Sequence, residues 1–167
     1  MIKKFFNKSK LLIFWARHSG VCIGKNCFVS SKFWSTEPYL IKIGDNCQLT
    51  EGVKCFTHGG AGAVREKYPD FDCFGKVCIG NYVYLGSNTL VMPGVSIGNN
   101  VICAAGSVIT KSIPSNVVVG GNPARIICTI DEYVQKNEKY NLKSKTMNEK
   151  KKKKLLLNLN DDLFIKK

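Results

Sequence analysis

From Ile79 onward the chain divides into six hexapeptides without a slip: IGNYVY, LGSNTL, VMPGVS, IGNNVI, CAAGSV and ITKSIP. First positions are Ile79, Leu85, Val91, Ile97, Cys103 and Ile109, all apolar. Fifth positions are Val83, Thr89, Val95, Val101, Ser107 and Ile113, all small or β-branched. An α-helix cannot use this period, because 3.6 residues per turn would carry the apolar stripe around its surface. A meander of hairpins would show irregular turn spacing instead of unbroken sixes. What fits is a coil of short parallel strands, three hexapeptides per eighteen-residue turn, with first and fifth positions inward and glycine-containing corners turning the chain. Successive coils then stack at about the 4.8 Å strand spacing.

The same phase runs upstream. Ile43, Leu49 and Cys55 lie six apart, and Ile23 with Val29 opens an earlier pair. Between Val29 and Ile43 the spacing is fourteen, which predicts an interrupting loop around Pro38. Residues 59–76 break the pattern again. Glycine-rich, charged and aromatic, they read as a loop thrown out of the coil. The expected organisation is a basic N-terminal leader over 1–20, a β-helical domain over 21–130 and a C-terminal helix with a Lys-rich tail over 131–167.

Two compositional features invite other readings. Of the eight cysteines, Cys27, Cys47, Cys55 and Cys103 fall on inward positions of the repeat, where cysteine acts as a small hydrophobe. With no C-x-x-C pair and only two histidines, the chain offers little to a metal, and none is expected in the chemistry. The net charge of +13 suggests a nucleic-acid partner until it is located. Residues 1–20 carry +5, residues 131–167 another +5, and the 110 residues between them only +3. A near-neutral body is not a nucleic-acid face, and no nucleic-acid partner is expected. The longest apolar run, Leu11 to Ala16, is too short to span a bilayer and poorly flanked for a signal peptide, which predicts a cytoplasmic protein.

The I-G-x-N-V repeats, a His-Gly-Gly before the protruding loop, PGVSIGNNV, AAGSVITKSIP and the closing GNPAR together resemble the hexapeptide-repeat acyltransferase family. The likeness is nearest to acetyltransferases of bacterial surface polysaccharide synthesis and includes the segments EPYLIKIG and CTIDEYV. The resemblance covers about residues 20–135. It implies an all-β fold, a left-handed parallel β-helix with a protruding loop and short terminal helices. It also implies a homotrimer with active sites at subunit boundaries, and acetyl-CoA as the donor.

Acetyl transfer to a hydroxyl needs a base. By the family's pattern that base is His58, at the junction of coil and loop. His18, in the basic leader, reads as a surface residue. Where many relatives carry an aspartate after the histidine, this chain has Gly59, so another group must orient His58. The same pattern puts Ser87, Ala105, Thr110, Lys111 and Arg125 along the CoA groove, with the two cations suited to phosphate. Arg65, Tyr68 and Asp70 of the loop are suited to holding a sugar. The expected function is O-acetylation of a sugar hydroxyl in a surface polysaccharide or its precursor. Alternatives are N-acetylation of an amino sugar and a non-catalytic trimeric scaffold. A β-helical carbonic anhydrase would need three histidine ligands and is set aside.

Ile2, Phe5, Phe6, Leu12 and Ile13 form a near-helical stripe with lysines opposite. Such a helix is suited to capping the first coil, and the basic ends are also suited to peripheral contact with an anionic membrane. Asp131 to Tyr140 reads as a short helix closing the other end. The lysine run 150–154 and the Asn/Leu/Lys-rich end after it read as poorly ordered.

Overall fold

The computed structural model describes residues 2–166, with side chains from residue 7 onward. After α1 (Ile2–His18) come β1 (Cys22–Ile23), β2 (Phe28–Val29), β3 (Ile41–Ile43), β4 (Gln48–Leu49) and β5 (Lys54–Cys55). The loop then leads to β6 (Val77–Ile79), β7 (Tyr84–Leu85), β8 (Leu90–Val91), β9 (Ser96–Ile97), β10 (Ile102–Cys103) and β11 (Val108–Ile109). The longer β12 (Val117–Gly121) and β13 (Ala124–Thr129) finish the β structure.

These strands form the three faces of a left-handed parallel β-helix. The first face holds β1, β3, β6 and β9; the second holds β2, β4, β7, β10, β12 and β13; the third holds β5, β8 and β11. Pairing is parallel and in register with the repeat, as in Leu49↔Leu85↔Cys103 and Cys55↔Val91↔Ile109. The exception is the antiparallel β12–β13 hairpin, which the hexapeptide pattern does not announce.

First and fifth positions fill the interior. Leu85, Val91, Val101, Cys103 and Ile109 are all fully buried. The polar fifth positions Thr89 and Ser107 are buried too, and each satisfies its hydroxyl by donating to a corner carbonyl, Gly86 or Ala104, at 2.7 Å. Burial pushes the Cys47 thiol up to about 11 and the Cys55 thiol up to about 12, as befits packing residues.

The corners work differently from the sequence expectation. At most corners the residue with positive φ is the fourth of the hexapeptide, not the glycine at the second. Asn26, Asn46, Tyr82, Asn88 and Asn100 all have φ between 54° and 61°, and Gly94 has φ 80°. The second-position glycines serve stacking: a Cβ on Gly98 would lie 2.6 Å from the Ser115 nitrogen. Third-position side chains complete the corner as a ladder. The nitrogens of Lys25, Asp45 and Asn81 each donate, at 2.7 Å, to the Asp45, Asn81 and Asn99 side chains on the next coil.

Helix α1 lies against β1 and β2. It buries Ser9 and Ala16 and packs Leu12 and Ile13 on the core. Ser9 Oγ accepts from the Val29 nitrogen at 2.8 Å, while Arg17 donates to the carbonyls of Ile23 and Gly24 at 2.8 and 2.9 Å. Backbone groups that the first coil leaves without a neighbouring strand thereby find partners. The side chains of Ile2, Phe5 and Phe6 lie outside the described residues.

Residues 131–167 form a separate unit. Its helix α2 (Ile130–Asn137) begins one residue before the expected start. The lysine run lies not in a poorly ordered tail but in α3 (Glu149–Leu157), started by Asn148, whose side chain accepts from the Lys151 nitrogen. Lysine and leucine are good helix formers once such a start exists. No helix among the described residues is long and apolar enough to cross a membrane.

Candidate active site

Strand β5 ends where the third face gives way to the protruding loop. Thr57 and His58 follow, and an antiparallel bridge between His58 and Phe74 closes the base of the loop. The two rings sit 5.7 Å apart. His58 is 34% exposed at the side chain, open enough to meet a substrate.

Its partner comes from the other interruption of the repeat. The loop between β2 and β3 delivers Ser35, Thr36 and Glu37 just before the short 3-10 turn Pro38–Leu40. Glu37 Oε2 lies 2.7 Å from His58 Nδ1, with the Glu37 side chain only 16% exposed. Thr57 Oγ1 donates to the same carboxylate oxygen at 2.7 Å, and Thr36 Oγ1 donates to Oε1 at 2.7 Å. Ser35 Oγ, 2.9 Å from Thr57 Oγ1, supports the arrangement from behind.

These contacts fix protonation. The hydroxyls of Thr57 and Thr36, followed by the neighbouring His58, outweigh partial desolvation and hold the Glu37 carboxyl below its ordinary range. An ionised carboxylate accepts only, so the proton between it and His58 belongs to Nδ1. In the neutral imidazole Nε2 then keeps its lone pair, the arrangement of an oriented general base. Glu37 is the candidate-site residue that sequence reasoning missed. The available signal was an acid inside EPYLIKIG, in an insertion one coil from His58; its pairing with residue 58 is visible only in three dimensions.

The other expected residues divide between two edges. Thr110 and Lys111 follow β11 on the third face as His58 follows β5, so these three share the edge leading from the third face to the first. Ser87 and Ala105 follow β7 and β10 on the second face and share the edge leading to the third, where Ser87 O accepts from the Gly106 nitrogen. Arg125, paired with Gly120 in the β12–β13 hairpin, belongs with them, since the hairpin's Gly121 nitrogen donates to Ser107 Oγ. In the loop, Arg65 is 3.8 Å from Asp72, Lys67 lies over the Tyr68 ring, and Asp70 is exposed. The loop side chain in contact with His58 is Phe74.

The family model described as bacterial transferase hexapeptide (six repeats) matches residues 79–111. The chain is 45% identical over 149 residues to Protein CapG of Staphylococcus aureus, covering 85% of each. It is 32% identical over 121 residues to the galactoside O-acetyltransferase of Escherichia coli, covering 72% of this chain and 59% of that one. Among solved structures, a hexapeptide-repeat-containing acetyltransferase of Vibrio cholerae complexed with acetyl coenzyme A superposes with a TM-score of 0.59 at 25% identity, covering 66% of this chain and 60% of the other.

Proposed function

The chain belongs to the hexapeptide-repeat acyltransferase family, and from that footing we propose that it is an acetyl-CoA-dependent O-acetyltransferase acting on a sugar hydroxyl of a surface polysaccharide or its precursor. The observation that carries the reading is the Glu37–His58 pair. A sugar hydroxyl, with a pKa of roughly 12 or above, is almost never ionised at neutral pH, so a base must remove its proton as the oxygen attacks. His58 Nε2 is that base. The hydroxyl oxygen bonds to the thioester carbonyl carbon, the C–S bond breaks, and the proton taken by His58 passes to the departing sulfur to give free CoA. Glu37 holds the imidazole in the required tautomer and offsets the positive charge it gains in the transition state.

Lys111 and Arg125 are assigned to the phosphates of the donor, with Ser87, Ala105 and Thr110 along its pantetheine arm. Because these residues occupy two edges of one protomer, a homotrimer is the economical way to use them: one subunit's edge faces its neighbour's and a single groove draws on both. The name of the Escherichia coli relative supports a sugar hydroxyl as acceptor. Likeness to polysaccharide-modifying members supports the larger acceptor class, and a cytoplasmic location fits a precursor substrate. Arg65, Tyr68 and Asp70 are assigned to that acceptor, through hydrogen bonds and the aromatic face.

The test is acetyl-CoA turnover on a panel of sugars and glycan fragments, followed by release of CoA thiol. An O-acetyl product is lost in mild alkali, and that loss is the expected result. An alkali-resistant product would move the protein to amine acetylation, and no thiol release with any acceptor would leave it a scaffold.

A further inference from the structure

We propose that the outward face of α1 docks on the surface of an anionic phospholipid bilayer. Helix α1 has two apolar faces, and the β-helix uses one. At about 100° per residue, Ser9, Leu12, Ile13 and Ala16 share the side that packs on the first coil. Leu11, Phe14, Trp15 and His18 share the opposite side, with Leu11 57%, Phe14 60% and Trp15 57% exposed. The aromatic groups hold one another: the Phe14 and Trp15 rings meet edge to face at 5.5 Å, and both pack on His18. Capping needs none of them.

Charge identifies the occupant. Lys8 flanks the aromatic stripe on one side and Lys10 on the other, where Arg17 stands beside it with its guanidinium on the Ile23 and Gly24 carbonyls, and residues 2–18 contain no acid. Beside the stripe a groove of about 730 Å³ is lined by Lys10, Phe14, Arg17, His18 and Lys25 among others, again with no acidic side chain. Tryptophan and phenylalanine at the centre with cations on both margins is the pattern of a helix lying in a lipid interface, rings at the boundary between headgroups and acyl chains and ammonium groups at the phosphates. A second copy of the same face would bring like charge against like charge and is disfavoured. The near-neutral body does not share this bias. The proposal does not depend on the acetyl-transfer reading.

The protein, residues 1–167, is mixed with vesicles of phosphatidylcholine, alone or with phosphatidylglycerol, and followed by flotation and tryptophan emission. Trp34 is only 9% exposed, so a lipid-induced blue shift reports Trp15. Wild type should float with phosphatidylglycerol vesicles, blue-shift, and be released by salt. Leu11→Ser/Phe14→Ser, which keeps the tryptophan reporter, should weaken partitioning at least about tenfold while leaving far-UV circular dichroism and acetyl transfer unchanged. Lys10→Gln/Lys25→Gln should remove the preference for the anionic lipid. Any of four results overturns the proposal: no flotation of wild type, full binding by the Leu11/Phe14 variant, a fall in that variant's lipid-free oligomer mass, or binding lost only when Lys150–Lys154 are neutralised.

Discussion

His58 has the chemistry of a base, but Glu37 makes it one of defined tautomer. His58→Ala should lower kcat by about 10² to 10⁴ with little change in the KM for acetyl-CoA, as loss of a general base does. Near-normal turnover in steady-state assays would overturn the assignment. Glu37→Gln keeps the shape and loses the charge; it should lower kcat by about tenfold or more with KM unchanged. A structural readout separates positioning from folding. Because the folded carboxyl lies below its ordinary 4.5, its contribution to stability is complete above that value and is lost as pH falls through the lowered one. Wild type should therefore exceed Glu37→Gln in Tm at pH 7, with the gap closing only in acid below the ordinary carboxylate range. A gap independent of pH would mean that charge is not what Glu37 supplies.

Corner positions differ among themselves in what they tolerate. Two glycines in adjacent hexapeptides should behave in opposite ways. Gly94, a fourth-position residue with φ 80° and nothing within 4 Å of a built Cβ, occupies the place that asparagine takes at 46, 88 and 100. Gly94→Asn should change stability by no more than about 0.5 kcal/mol. Gly98, at a second position, has backbone in the way on the adjacent coil, at the Ser115 nitrogen and the Pro114 carbonyl carbon. Gly98→Ala should cost about 1–3 kcal/mol by forcing two coils apart. Urea unfolding of the two variants checks the pair, and the reverse order would mean that the corner roles are assigned wrongly. In the core, the fully buried Leu85 should cost about 2–5 kcal/mol when cut to alanine.

At the scale of the whole molecule, the division of the assigned groove residues between two edges makes oligomeric state a kinetic question. Lys111→Ala and Arg125→Ala should each raise the KM for acetyl-CoA while sparing kcat. In a shared groove, mixed trimers carrying one defect per subunit should regain a fraction of sites with wild-type KM. Light scattering should give a trimeric mass. A monomer that still turns over would remove the neighbour from the site. The cationic, aromatic face of α1 gives the same molecule a second surface, on the coil farthest along the chain from the β12–β13 hairpin.

Much of this protein can be read from its sequence alone, because a β-helix is built from local rules repeated. Each hexapeptide carries its own inward residues and its own turn, so period and phase determine the faces, the core and the register between coils, and they mark both interruptions. The place of His58 at the coil–loop junction could be read from where the repeat stops, while its assignment as the base rests on the family's pattern. The tertiary structure alone decided what fills those interruptions. Glu37 and His58 are twenty-one positions apart in two loops, neither periodic, and only the stacking of β3, β4 and β5 on the first coil brings a carboxylate to 2.7 Å from an imidazole. Nor could the period foresee the β12–β13 hairpin, which pairs antiparallel, or the side of α1 that would be left uncovered. A periodic pattern specifies contacts between equivalent positions; contacts between unlike segments depend on where the chain returns.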